Sequence, residues 1–300
     1  MSYINAISFA PNVIEWLANS RHPRILHIFD HACNLINERR EIISVVTPQI
    51  GKGPFNLVIE EDTFISRDLS LESPITIFPN QLILADLTIN TTHAKLWSPQ
   101  PDWKRLHCRK DEIFDQIMSL RAPTWAKQSL PGKEIVSSYT RPGGRCQGST
   151  RLAMTPITDS LNSALVTADF SSSLVATRKL AGLGIGLTPA GDDYLIGAIY
   201  ATWIIHPIEK ATNLAGEIAE TAAPLTTSLS AAWLRSAGRG EAGILWHGFF
   251  EALISEDSAA IRLQISKLLS VGHTSGADML AGFIGTFLSL AESEKKLCHS

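Results

Sequence analysis

The sequence predicts an α+β chain: a β-rich N-terminal barrel or sandwich followed by an all-helical C-terminal domain. Three features carry this expectation. Between about Arg24 and Trp97, short β-favouring runs are cut by Pro, Gly and Asn. Beyond residue 150 the chain becomes rich in Ala and Leu, with apolar positions at helical spacing. Strands and helices do not alternate, which argues against βαβ units around a parallel sheet. The expected organisation is a β-rich domain with flanking helices over 1–136, a Gly/Arg-rich linker over 137–150 and a helical domain over 151–300. A chain of 300 residues is long enough for each part to bury its own core.

Taken in order, Val13, Trp16 and Leu17 share one side of a short helix at 11–19. Runs at 42–46 and 55–59 read as strands, separated by Pro48 and the Gly51-Lys52-Gly53-Pro54 turn. Two more, at 75–78 and 82–84, break at Pro79-Asn80, and such short strands suit a compact barrel or sandwich. Ile113, Phe114 and Ile117 group on one side of a helix over 111–120. The segment 137–150 contains Arg141-Pro142-Gly143-Gly144-Arg145 and reads as a linker or a mobile functional loop. Helices are then expected near 158–180, 190–206, 210–235, 240–255, 257–270 and 276–295.

The richest local signal is Gly182-Leu183-Gly184-Ile185-Gly186-Leu187-Thr188-Pro189-Ala190-Gly191-Asp192-Asp193, running into an apolar stretch that ends at Ile205. It spells a tight loop that becomes a helix. Thr188 is the expected cap and Pro189 is pre-set for the first turn. Free N–H groups at a helix start favour an anion, and glycine lets a ligand approach the backbone. Generic nucleotide patterns fail here. Leu187 stands where the dinucleotide fingerprint needs its third glycine, and Asp192-Asp193 stand where a P-loop needs Lys and Ser or Thr.

A second segment repeats the first. Gly272-His273-Thr274-Ser275-Gly276-Ala277-Asp278-Met279-Leu280-Ala281-Gly282 aligns with Gly186 to Gly197 across one gap. Thr274 then matches Thr188, Gly276 matches Gly191, Asp278 matches Asp193 and Gly282 matches Gly197. In each copy Asp and Gly stand four apart, on one helix face. Two such helix starts facing each other would make a pocket with amide-rich rims and carboxylates between them. The plain alternative is that both Asp residues only favour positive helix ends and both glycines only allow close packing. The repetition favours a site.

Composition narrows the partners. Lys and Arg number 26 against 29 Asp and Glu, so a net charge of −3 gives no electrostatic case for nucleic acid or an anionic membrane. The longest apolar run, 194–205, is too short to span a bilayer, and residues 1–10 lack the basic, apolar pattern of a signal peptide. Cys33, Cys108, Cys146 and Cys298 form no CxxC pair, which points away from zinc or a disulfide framework and toward the cytoplasm. His27 and His31 have metal-like spacing but no accompanying Glu and read as incidental. Adjacent carboxylates at 192 and 193 point apart on a helix, so joint Mg²⁺ chelation is not expected. No metal or cofactor is therefore called for.

The motif at 182–193 resembles the hallmark of the domain-of-unknown-function 2877 family, which includes the AllH-like subunit of bacterial oxamate carbamoyltransferase. The Gly272-His273-Thr274-Ser275-Gly276 segment and the Gly51-Lys52-Gly53-Pro54-Phe55 turn resemble its other recurring motifs. Ala190 replaces the family's usual Ser before Gly191. The resemblance implies phosphorolysis of oxalurate to oxamate and carbamoyl phosphate, in purine or allantoin breakdown, alongside partner subunits. It makes a small anionic metabolite and phosphate the expected ligands.

That chemistry needs a phosphate cradle, donors for a developing negative oxygen and acceptors for a carbamoyl NH₂. Gly184, Gly186, Thr188, Gly191 and Asp192 are candidates for binding from the first motif, with Thr274, Ser275 and Gly276 from the second. Asp193 and Asp278 are candidate catalytic groups that can accept from NH₂. His273 is a candidate acid or base, or simply a polar residue at a helix start. Lys52 and Gly53 are candidate anion contacts from the N-terminal part, although an exposed turn lysine is the commoner reading. Arg145 or Arg239 can pair bidentately with a dicarbonyl or phosphate. No covalent nucleophile is required, so catalysis would rest on orientation and electrostatics. A non-catalytic anion-binding or assembly module is the alternative.

Overall fold

The computed structural model describes residues 2–65, 67–120 and 148–298. It falls into two compact units, Met1–Gln100 with Glu241–Ile244, and Pro101–Gly240 with Leu245–Ser300.

The first unit is a nearly closed, barrel-like sheet of nine strands, ordered β2-β3-β4-β5-β1-β8-β7-β6, with β9 also paired to β1. The strands are β1 (Ser2–Phe9), β2 (Arg24–Ile28), β3 (Ala32–Ile36), β4 (Ile42–Val46), β5 (Asn56–Ile59), β6 (Ile75–Phe78), β7 (Gln81–Leu84), β8 (Leu87–Asn90) and β9 (Lys95–Leu96). β1 runs antiparallel to β5 and parallel to β8, so it joins the two halves of the sheet. Alternation decides what fills the interior: Leu82, Leu84, Leu87 and Ile89 are buried, while their neighbours Ile83 and Thr88 are half-buried. Ile43, Val45, Leu57 and Ile59 complete the core with Cys33 and Leu35. Helix α1 (Pro11–Asn19) adds Val13 and Trp16, and the Trp16 indole donates to the Glu41 carbonyl at 2.9 Å. The strand-rich reading holds for this region. β1 carries no strong strand signal of its own, because Asn5 and Ala6 interrupt its β-favouring residues.

The second unit is helical. Helices α2 (Trp103–Cys108) and α3 (Lys110–Ser119) belong to it. They are followed by α4 (Gly148–Thr167), α5 (Phe170–Leu180), α6 (Ala190–Ile205), α7 (Ile208–Ala222), α8 (Ser228–Gly238), α9 (Ile244–Ser255), α10 (Ser258–Leu269) and α11 (Ser275–Cys298). Two expected helices are each a pair. The one over 158–180 breaks where Ala168 takes a left-handed φ of 52° and Asp169 caps α5 by accepting from the Ser172 N–H. The one over 210–235 breaks at a 3₁₀ turn, Ala223–Leu225, containing Pro224, after which Thr227 caps α8 by accepting from Ser230 N–H. Helix α6 sits in the middle of this unit, with every residue from Gly191 to Ile205 buried. Its Tyr200 and Trp203 pack in an aromatic cluster with Trp103, Trp246 and Phe250. No described helix is long and apolar enough to cross a membrane.

Candidate functional site

The two related motifs do the same structural work. Each lies between the end of one helix and the start of another: α5 to α6, and α10 to α11. A Cβ on Gly191 would lie 2.0 Å from the carbonyl oxygen of Leu180 at the end of α5. A Cβ on Gly276 would lie 1.7 Å from that of Leu268, in the last turn of α10. One turn and a half deeper the helices cross. There Gly197 faces the Met279 carbonyl, where a Cβ would come within 1.8 Å, and Gly282 faces the Tyr194 carbonyl, where a Cβ would come within 2.0 Å. Only glycine permits backbone contact at these four places. The crossing brings the two helix starts side by side.

Their hydroxyls meet. Thr188 Oγ1 lies 2.9 Å from Ser275 Oγ, linking the first motif to the second. Thr188 is therefore not a cap. Pro189, expected in the first turn, occupies the cap position of α6 instead, in an extended conformation with no side-chain bond, and the helix starts at Ala190, as expected. Thr188, Thr274 and Ser275 are half-buried, whereas Asp193 and Asp278 are 1% and 2% exposed. Their N–H groups close the first helical turns, Asp193 onto the Pro189 carbonyl at 3.1 Å and Asp278 onto the Thr274 carbonyl at 2.9 Å.

The electrostatics single out Asp193. Its pKa is pushed up to about 8, first by burial and then by the neighbouring charges of Asp278 and Asp192. Hydrogen bonds from Ser275 and Thr188 oppose the rise without cancelling it. Its Oδ2 is buried with no partner among the described residues. A carboxyl in this state keeps its proton at neutral pH and has a face to offer.

Asp192, its sequence neighbour, is differently committed. Its Oδ1 accepts the Gly182 N–H at 2.8 Å, and its Oδ2 accepts from Ser230 Oγ at 2.8 Å and from Thr226 Oγ1. It is 0% exposed, and burial raises its pKa against those three bonds. Asp192 thus ties the glycine loop to the start of α8 with both oxygens occupied by the protein. Thr227 adds a second tie, donating to the Leu187 carbonyl at 2.6 Å. The sequence reading missed Thr226, Thr227 and Ser230. Their only signal was hydroxyl residues before a helix, which usually mark a cap and nothing more.

Between these anchors the loop is open. Gly182, Gly184 and Gly186 have φ of 71°, 131° and 98°, and Gly184, Ile185 and Gly186 are exposed, Ile185 by 80%. The N–H groups of these last three residues have no hydrogen-bond partner among the described residues. His273 is exposed beside Gly272, itself at φ 57°. Arg239 is exposed beyond the C-terminal end of α8 and donates to Ser236 Oγ at 3.2 Å. Ser230, which meets Asp192, is nine residues back, about 13 Å along the helix axis. Lys52 and Gly53 belong to the barrel unit, where the Lys52 carbonyl accepts the Ile244 N–H at 2.9 Å. Arg145 and the expected linker up to residue 147 lie outside the described residues. Among the described residues no group of three or more His, Cys, Asp or Glu is placed to hold a metal ion.

Comparison with known families covers both units. Residues 5–96 match the AllH family N-terminal domain, and residues 180–287 match the family described as oxamate carbamoyltransferase subunit AllH. The chain belongs to the AllH family. The second match spans both glycine motifs of this AllH chain, from the end of α5 through the crossing of α6 and α11. No solved structure matches the chain.

Proposed function

We propose that this AllH-family chain is a subunit of a carbamoyltransferase and that its helical unit binds a small anionic, carbamoyl- or phosphate-bearing metabolite. The reaction is the phosphorolysis of oxalurate. A phosphate oxygen attacks the ureido carbonyl carbon and the bond from that carbon to the bridging nitrogen breaks. That nitrogen takes the proton released by phosphate, giving oxamate and carbamoyl phosphate. The carrying observation is the 2.9 Å Thr188–Ser275 bridge over Asp193 and Asp278, which joins both family motifs at one place.

This arrangement supports transfer without a covalent enzyme intermediate. The open N–H groups of Gly184 to Gly186 suit phosphate or carboxylate oxygens. The hydroxyls of Thr188 and Ser275 and the two acids suit the polar carbamoyl group, with Thr274, Gly276 and His273 bordering the second motif. Partner subunits complete the enzyme, and the family's description as a subunit supports that. The test is an assay for carbamoyl phosphate formed from oxalurate and phosphate by the purified chain, alone and with its partner subunits. The assembled enzyme is expected to be active and to lose activity with Asp193→Ala or Asp278→Ala. Full activity of a correctly folded double variant would overturn the assignment.

A further inference from the structure

We infer that Asp193 and Asp278 together receive the uncharged amide end of the substrate, –C(=O)NH₂, while its anionic end lies on the open loop of Gly184 to Gly186. This rests on the carbamoyl-transfer reading above and divides its site into two ends of opposite demand.

The acid end is not where phosphate is held, although the attacking oxygen must reach the carbonyl carbon placed there. Asp193 and Asp278 are both almost wholly buried, and Asp192 directly precedes Asp193 in sequence with its own oxygens committed. Asp192 and Asp278 are the two charged groups that bear on Asp193, one from its own helix and one from α11 across the crossing. No cation is among them. An oxyanion brought here would meet like charge in a poorly solvated place. A primary amide carries no charge and presents two N–H donors and one carbonyl acceptor. A protonated Asp193 carboxyl beside the Asp278 carboxyl presents the complement: an O–H to donate to the carbonyl and oxygens to accept the N–H groups. The buried, unpartnered Oδ2 of Asp193 is the atom this pairing would satisfy. Thr188 and Ser275 are half-buried, bonded to each other and both hydrogen-bonded to Asp193, so the amide reaches the acids by displacing those hydroxyls.

The loop end has the converse character. Its residues Gly184 to Gly186 are exposed with unpartnered N–H groups, and there is room for an oxyanion at Gly186, where a Cβ would meet nothing within 4 Å.

Oxamate and oxalate separate the two ends, because they differ only in NH₂ against O⁻. Binding of each to the assembled enzyme, and to the full chain, is measured by calorimetry at pH 7. Oxamate is expected to bind at least about tenfold more tightly than oxalate, a gap of about 1.4 kcal/mol. In Asp278→Asn the preference should shrink to within about threefold, roughly half that gap. Asp193→Asn should keep it, because its amide still donates. Infrared difference spectra of the wild-type chain should also contain a protonated-carboxyl band that Asp193→Asn removes, a readout that survives if the Asp278 variant fails to fold. Equal or tighter binding of oxalate, no binding of either ligand, or absence of that band overturns the inference. An active enzyme that prefers oxalate would sink this inference alone. Oxamate preference without any carbamoyl transfer would sink the parent reading and leave the amide site standing.

Discussion

Gly197 and Gly282 hold reciprocal places at the crossing of α6 and α11, each pressed against a carbonyl oxygen of the other helix. Adding one methyl group at either position forces backbones apart. Gly197→Ala and Gly282→Ala are each expected to cost about 3 kcal/mol or more, the upper range for overpacking against groups that cannot rotate away. Gly216→Ala is the control, since its Cβ would meet nothing within 4 Å in the middle of α7. It should gain about 0.5–1 kcal/mol from better helix propensity. Denaturant midpoints of the three variants decide the matter, and equal effects at all three sites would contradict the close crossing.

The proton on Asp193 makes stability depend on pH in a definite direction. Its folded pKa, about 8, lies above the ordinary aspartate value of 3.8, so the folded chain holds a proton that the unfolded chain releases between those values. This contribution is fully present below pH 3.8 and is lost as pH rises through about 8. Each unit of the shift corresponds to about 1.4 kcal/mol. Asp193→Asn should flatten the fall in Tm between pH 5 and pH 9 and be more stable than wild type at pH 9. A wild-type Tm that climbs across that interval while the Asn variant falls would reverse the assignment.

Asp192 should behave as a structural latch. Thr226→Val together with Ser230→Ala strips its Oδ2 of both donors while leaving Gly182 on Oδ1. Leaving a buried carboxylate short of donors should cost about 1–3 kcal/mol for each bond lost. Hydrogen exchange at the Gly182 amide should quicken in the same variant, because the loop it anchors loses its hold on α8. Unchanged exchange with lowered global stability would separate the latch from the loop.

In the assembled enzyme, Asp193→Ala and Asp278→Ala should each lower the rate of carbamoyl transfer by about 10²–10⁴-fold, the range for losing a positioned acid–base group. Ser275→Ala should cost less, because Thr188 still contacts Asp193. Steady-state rates on folded variants, checked by circular dichroism, provide the measurement. A Ser275→Ala loss exceeding both acid variants would move the chemistry from the carboxyls to the hydroxyl.

Much of this was legible in the chain itself. The β-rich first part follows from short β-favouring runs such as 75–78 and 82–84, cut at Pro79-Asn80, while the fold alone shows which alternate residues, Leu82, Leu84, Leu87 and Ile89, are buried. The relation between the two glycine motifs was legible because a backbone pressed on a backbone tolerates no other residue, which stamps Gly at matched spacings. What stayed hidden was every choice that depends on which helix end meets which. The sequence marks Thr188 as a cap, yet its hydroxyl turns to Ser275, a partner 87 residues away. Asp192 and Asp193 look alike as neighbours on one helix. The fold supplies Thr226, Ser230 and Gly182 to the first, while the second keeps one buried oxygen without a partner beside Asp278. Local sequence determines backbone conformation and the pattern of burial. Tertiary structure alone decides which of two adjacent carboxyls is satisfied and which keeps a proton, because hydration and neighbouring charge are set by residues far away along the chain.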